Sequence, residues 1–407
     1  MPRKTVSPST PGHLLTEVKL ERFKAAFKPG SIPLRPFNVV IGRNGSGKST
    51  LLEALQWLDA TLRRDAREAS DRYFGIRDLI NLRSKEHYFR VALTWINREE
   101  EGLPLNYRIK VEEHGGLPVV AEESLVLGDR PRRKGSQFLK TIEAGVRLFD
   151  PSGNSDSEIG ITWREPDRLA LGLVGATTAE SNGSDLAGLR DFWSRAVFLR
   201  LSPNRLAQGS PATRRSYEPL LDEEGQNLPA LLHELTAKQR ENLVEALKGF
   251  LSGIRDVEVS KARIGRDTRV NYSLLERMPY RGRSGQSEFP IPAWMLSEGT
   301  RRITAILALL SREPAPSLLC IEEVENGLDP GAVIAILNHL VSASGSGTQV
   351  IVTTHSPWLL DHVPIDSILQ VRRIRGDTRY EHFASRPEVM GFDPSTPAGT
   401  RYVSLAE

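Results

Sequence analysis

Nine consecutive residues, Gly42-Arg43-Asn44-Gly45-Ser46-Gly47-Lys48-Ser49-Thr50, have the composition of a phosphate-binding loop. Glycines at 42, 45 and 47 let the backbone curl until its N–H groups converge on an anion, and the positive end of a following helix reinforces that grip. Lys48 then reaches the β- and γ-phosphates of ATP, and Ser49 ligates Mg²⁺. A second constellation lies in the C-terminal third of the chain. The apolar run Leu318 to Ile321 ends in Glu322-Glu323, which delivers two carboxylates to the end of a buried strand. Glu322 is the expected holder of Mg²⁺, directly or through water, and Glu323 the group that polarises the water attacking the γ-phosphate. A further apolar run, Gln349 to Val352, leads to Thr353-Thr354-His355-Ser356, where the His355 imidazole can meet the γ-phosphate or the attacking water. Upstream, Leu296-Ser297-Glu298-Gly299-Thr300 precedes a helix-like run, Arg301 to Leu310, so that a Ser and a Gly at a helix N-terminus offer another anion site.

These groups need elements to position them. Phe37 to Ile41 reads as the strand feeding the loop and Thr50 to Leu62 as the helix receiving the phosphates. Tyr88 to Ile96, Leu105 to Glu113 and Val119 to Leu127 alternate as antiparallel strands. Polar loops follow at Pro151 to Glu158 and Glu180 to Asp185, then a strand at Arg195 to Leu201. Leu228 to Leu251 predicts a helix whose leucines at 231, 232, 235, 243, 247 and 251 form an apolar face, with core packing as its ordinary role. Val257 to Val259 and Val270 to Leu275 return to strand. The nucleotide core is thus split in sequence, its halves joined only by folding.

The order of these motifs resembles the ATP-binding-cassette type of AAA-family ATPase: phosphate loop, LSEGT signature, CIEE acidic strand, NGLD loop, TTHS histidine. The opening LERFKAAFKPGSIPLRPFNVVIGRNGSGKST, with IEEVENGLDP and TTHSPWLLD, is similar to the soluble branch containing RecF, SMC-type proteins and the overcoming-lysogenization-defect nucleases, many of which act in anti-phage defence or DNA transactions. The resemblance implies an α/β fold, a split P-loop ABC-type core with an antiparallel β-subdomain and an inserted α/β middle region. On that reading residues 1–128 are the N-terminal lobe, 129–289 the inserted lobe, 290–384 the C-terminal lobe and 385–407 a tail. It further implies a homodimer, or higher homo-oligomer, in which ATP held by Lys48, Ser49, Glu322 and Glu323 of one copy meets the trans-signature Ser297, Glu298 and Gly299 of the other, with Asp329 of the D-loop at the junction. The family usually has Asp where Glu322 stands, and the extra methylene leaves room for slow turnover. No glutamine is assigned to the loop that links metal to the inserted lobe; Gln137 is the nearest candidate.

Composition narrows the partners. With 54 Lys and Arg against 51 Asp and Glu, the net charge of +3 argues against a global polyanion binder. Local clusters remain at Arg63, Arg64 and Arg67, at Arg130, Arg132, Arg133 and Lys134, at Arg214 and Arg215, and at Lys261, Arg263, Arg266 and Arg269. Each can line a groove for double-stranded DNA, although solvated or acid-paired faces are the commoner role. The lone Cys320 excludes a disulfide framework. No charged-then-apolar leader and no apolar run of about 20 residues is present, so a cytoplasmic protein with no membrane contact is expected. The roughly fifty residues after His355 are too few for a fused nuclease, Asp361, Asp366 and Asp377 notwithstanding. Without a heptad run there is no SMC-like coiled-coil arm. The expected function is an ATP-dependent dimerising switch or scaffold for a separately encoded effector, such as a nuclease, in bacterial anti-phage defence; the alternative is a RecF-like DNA-binding clamp in repair.

Overall fold

The computed structural model describes residues 12–98, 102–128, 137–142, 145–148, 159–161, 165–172, 184–213, 218–264, 267–282 and 285–405. The basic cluster at 130–134, the loop at 151–158, most of the loop at 180–185, Arg214 and Arg215, and Arg266 lie outside the described residues. The chain divides into two compact units, one reaching Ser194 and including Asp366–Met390, the other spanning Arg195–Ile365 and the chain from Gly391 onward.

In the first unit, eight antiparallel strands form one sheet in the order Gly30–Pro33, His13–Glu21, Tyr88–Asn97, Leu105–His114, Leu117–Leu127, Gln137–Ile142, Gly145–Leu148 and Ile159–Ile161. The predicted alternation holds where it is strongest: Phe89, Val91, Leu93 and Trp95 of one strand and Leu105, Tyr107, Ile109 and Val111 of the next are all buried. Their inner face is covered by aromatic edges, with Trp57 meeting Phe89 at 5.0 Å and Phe192 meeting Trp95 at 6.0 Å between centroids. Trp57 belongs to the helix Lys48–Arg63, so the helix that follows the phosphate loop is anchored by its largest side chain on this sheet. Glu123, fully covered, accepts hydrogen bonds from the Tyr107 hydroxyl (2.8 Å) and from the N–H groups of Ala170 (2.7 Å) and Leu171 (3.0 Å). Burial pushes its carboxyl up against these three donors. It fixes the turn Ala170–Gly172, where a Cβ on Gly172 would lie 2.5 Å from the Leu62 carbonyl oxygen.

The second unit contains a parallel trio, Val197–Leu199, Leu318–Ile321 and Gln349–Thr354, every residue of which is buried, as parallel strands covered on both faces require. In the same unit, Ile254–Ile264 and Asp267–Arg277 form a long hairpin, and Ser210–Pro211 and Glu288–Pro292 both pair with its second strand. The single helix expected over Leu228 to Leu251 is two helices, Leu228–Glu234 and Ala237–Lys248. Leu235 is extended, and Thr236 restarts the helix through a capping box: its hydroxyl accepts from Gln239 N–H at 3.3 Å while the Gln239 side chain accepts from Thr236 N–H at 3.0 Å. Five leucines of the stripe are core, as its ordinary reading has it: Leu231, Leu232, Leu235, Leu243 and Leu247 are buried, whereas Leu251 lies beyond the second helix and is half-buried.

Candidate functional site

The predicted site residues fall into two sets, one in each unit. In the first unit the strand Phe37–Gly42 is buried along its whole length and pairs in parallel with Ile368–Ile374. It delivers the loop so tightly that a Cβ on Gly42 would lie 2.4 Å from the Val371 carbonyl oxygen. Gly47 has φ +103°, and its Cβ would meet Thr378 Oγ1 at 2.6 Å. Gly47→Ala is therefore expected to cost about 1–3 kcal/mol from backbone strain alone and to displace Thr378; thermal denaturation and nucleotide affinity both report it.

Behind the loop stands a support that its own sequence does not announce. The Thr378 hydroxyl donates to the Ser46 carbonyl (3.0 Å) and the Tyr380 hydroxyl to the Gly47 carbonyl (2.6 Å). Burial pushes the Tyr380 phenol up, which keeps it protonated and donating. Asp377 accepts from the N–H groups of Phe27 (2.8 Å) and Lys28 (3.2 Å), which gives this acid a backbone-pinning role. With the carbonyls of Ser46 and Gly47 held from one side, the loop turns Arg43, Asn44 and Gly45 to solvent.

Lys48 opens the helix Lys48–Arg63, and its ammonium donates to the carbonyls of Gly42 (2.7 Å) and Arg43 (3.2 Å), wrapped around the loop it serves. No side chain caps this helix and no acid lies in its first turn. Thr50 N–H donates to the Gly47 carbonyl at 3.1 Å, and the positive end of the helix dipole favours an anion here. The helices starting at Glu298 and Pro330, by contrast, carry side-chain caps from Ser297 and Asp329. Ser49 is exposed on the first turn, as a metal-ligating hydroxyl must be. The cluster Arg63, Arg64, Arg67 is spent internally: Arg63 donates to Asp59 and the Trp193 carbonyl, both at 2.8 Å, Arg64 pairs with Glu68 at 2.8 Å, and Arg67 stands 3.8 Å from Asp167.

The second set gathers at the carboxyl ends of the parallel trio. Glu322 N–H donates to the Leu199 carbonyl (2.8 Å), which closes the ladder. At Glu323 the backbone turns left-handed, φ +49°, an uncommon conformation for a residue with a side chain. The turn is fixed by Thr353, whose hydroxyl accepts from Glu323 N–H at 2.9 Å and whose carbonyl accepts from Val324 N–H at 3.2 Å. The Glu323 carboxylate takes a hydrogen bond from the Asn326 amide and lies 3.5 Å from His355 Nε2. Acid and imidazole, each a little under half exposed, therefore form one polar pair open to solvent. Glu325 completes it: its Oε1 accepts from the Thr354 hydroxyl (2.9 Å) and from His355 N–H (2.8 Å), tying the histidine's backbone to the acidic segment. Sequence reading missed this role.

The structure also joins signature and D-loop. A Cβ on Gly299 would lie 2.7 Å from the Gly327 carbonyl oxygen, and one on Gly327 would strike Glu298 Cγ at 2.8 Å. Ser297 Oγ accepts from Thr300 N–H (3.1 Å) and Asp329 Oδ1 from Ala332 N–H (3.1 Å). Ser297 Oγ also lies 2.8 Å from the Thr300 hydroxyl, a pair in which either oxygen can donate. Among the described residues no group of three or more His, Cys, Asp or Glu could hold a metal ion. Ser49 offers a hydroxyl and Glu322 a carboxylate, oxygen donors of the kind that Mg²⁺ takes. Gln137 begins a strand of the antiparallel sheet, and its side chain lies outside the described residues. No helix among the described residues is long and apolar enough to cross a membrane.

Residues 37–361 match the AAA_21 family, described as "AAA domain, putative AbiEii toxin, Type IV TA system". No curated protein matches the chain. Among solved structures, the chain is similar to an SmcHead bound to the C-winged helix domain of ScpA, with 17% identity, TM-score 0.53, and coverage of 90% of this chain and 97% of that one. It is also similar to an Smc head domain with an extended coiled coil bound to the C-terminal domain of ScpA, derived from Pyrococcus furiosus, with 14% identity, TM-score 0.54, and coverage of 91% and 96%. The fold is that of an ABC-type ATPase head, its core split between the two ends of the sequence.

Proposed function

Since the chain belongs to the AAA_21 family of AAA domains, we propose that it binds ATP with Mg²⁺, dimerises on it and hydrolyses it, and so acts as a switch or scaffold for a separately encoded effector. The uncapped helix at Lys48 carries this reading: it supplies a cationic donor and a helix N-terminus without a side-chain cap, whereas the helices starting at Glu298 and Pro330 have caps. In the proposed cycle Lys48 and the loop N–H groups grip the β- and γ-phosphates, and Glu323 takes the proton of the attacking water while its imidazole neighbour His355 orients it. Mg²⁺, when bound through Ser49 and Glu322, neutralises charge on the phosphates. Ser297 of the second copy donates its hydroxyl hydrogen to the γ-phosphate, so nucleotide acts as the bond between copies and hydrolysis as its release.

The output of such a switch lies in another polypeptide. The family description names a toxin–antitoxin system, which has separate components, and the Smc heads are described as bound to ScpA. A separately encoded effector in anti-phage defence is the role we assign. The test is native mass measurement of the wild-type protein with and without ATP and Mg²⁺, followed by co-purification with the product of the neighbouring gene. ATP-dependent doubling of mass and a co-purifying partner are expected. A monomer at saturating ATP would overturn the switch, and duplex DNA stimulating turnover, with binding lost as salt rises, would replace the effector by the clamp.

A further inference from the structure

Val197–Leu199 runs parallel to Leu318–Ile321 with Leu199 opposite Ile321. One step further along, Arg200 and Glu322 leave the sheet side by side, at the carboxyl ends of parallel strands where ligands bind in α/β folds. Both backbones are fixed. Glu322 N–H donates to the Leu199 carbonyl and Arg200 N–H to the Glu223 carbonyl, each at 2.8 Å. The side chains differ in freedom: Arg200 is 75% exposed and Glu322 22%, with Arg200 Nε 3.8 Å from Glu322 Oε2. That separation is an ion pair without a direct hydrogen bond.

We infer that Arg200 is a positioning residue for Glu322, holding this carboxylate in the metal-free protein and competing with the divalent cation for it. The inference rests on Glu322 being the metal-binding acid of the proposed ATPase. Movement of the side chain ends the competition, and its exposure permits that. A dication at Glu322 repels the guanidinium, which swings into water; when the ion departs, Arg200 returns to its place beside the carboxylate.

The test uses the full chain with a nonhydrolysable ATP analogue and Mn²⁺ as a spectroscopic probe, titrated by electron paramagnetic resonance. Removing the competing charge in Arg200→Ala is expected to tighten Mn²⁺ binding about three- to tenfold at low salt, a gain that shrinks as salt screens it. Arg200→Lys, which keeps the charge, is expected to stay within about twofold of wild type. Mn²⁺ affinity that is unchanged or weaker in Arg200→Ala, with the analogue bound normally, overturns the role of Arg200 alone. Failure of the wild-type protein to bind the analogue overturns the ATPase reading, and the inference with it.

Discussion

Glu323→Gln is expected to lower ATP turnover by about 10²–10⁴-fold, the range that a positioned general base contributes. The substitution changes one oxygen for an amide nitrogen and leaves shape and backbone alone, so the left-handed turn at Glu323 and its N–H bond to Thr353 should survive. What is lost is the acceptor for the water's proton and the negative partner of the His355 imidazole, 3.5 Å away. Phosphate binding is untouched because Lys48 and the loop are unaltered. Nucleotide should then enter and not leave, and ATP with Mg²⁺ should drive the variant to a stable species of twice the 45.3 kDa chain mass. Turnover and mass are read on the same sample. A variant that hydrolyses ATP at the wild-type rate removes Glu323 from catalysis; one that is inactive yet stays monomeric removes the dimer from the cycle.

The candidate site residues of this chain are legible in the sequence because each sits in a short local pattern. Glycine spacing before Lys48, two acids after an apolar run, and a histidine after another can be read without knowing what lies beside them. What could not be read depends on pairing at long range. Thr378 and Tyr380 hold the phosphate loop from a strand more than three hundred residues downstream, and nothing in the types Asp377-Thr378-Arg379-Tyr380 signals it. Glu325 and Arg200 gain their roles from the register of neighbouring strands, which brings Thr354 and Glu322 to them. The break at Leu235 is a different kind of miss. Thr236 and Gln239 have capping-box spacing in plain view, but a leucine stripe continuing in phase across them favours one unbroken helix.

Lys48→Ala is expected to weaken ATP binding by about 10²–10³-fold, because hydrogen bonds from an ammonium to phosphate are charge-assisted and their joint loss costs about 3–4 kcal/mol. The resting structure complicates the measurement in a useful way. The buried ammonium already serves the carbonyls of Gly42 and Arg43, so its removal also loosens the loop in the absence of nucleotide. Loss of stability and loss of binding must therefore be separated. Linkage does so: at a free ATP concentration one hundred times its dissociation constant, the wild-type protein gains about 2.7 kcal/mol of stability, seen as a rise in melting temperature on adding nucleotide. The variant melts lower than wild type without nucleotide and is expected to show almost no rise with it at the same concentration. A rise equal to that of wild type would mean that the triphosphate is held elsewhere, and the uncapped start of the helix at Lys48 would lose its assigned ligand.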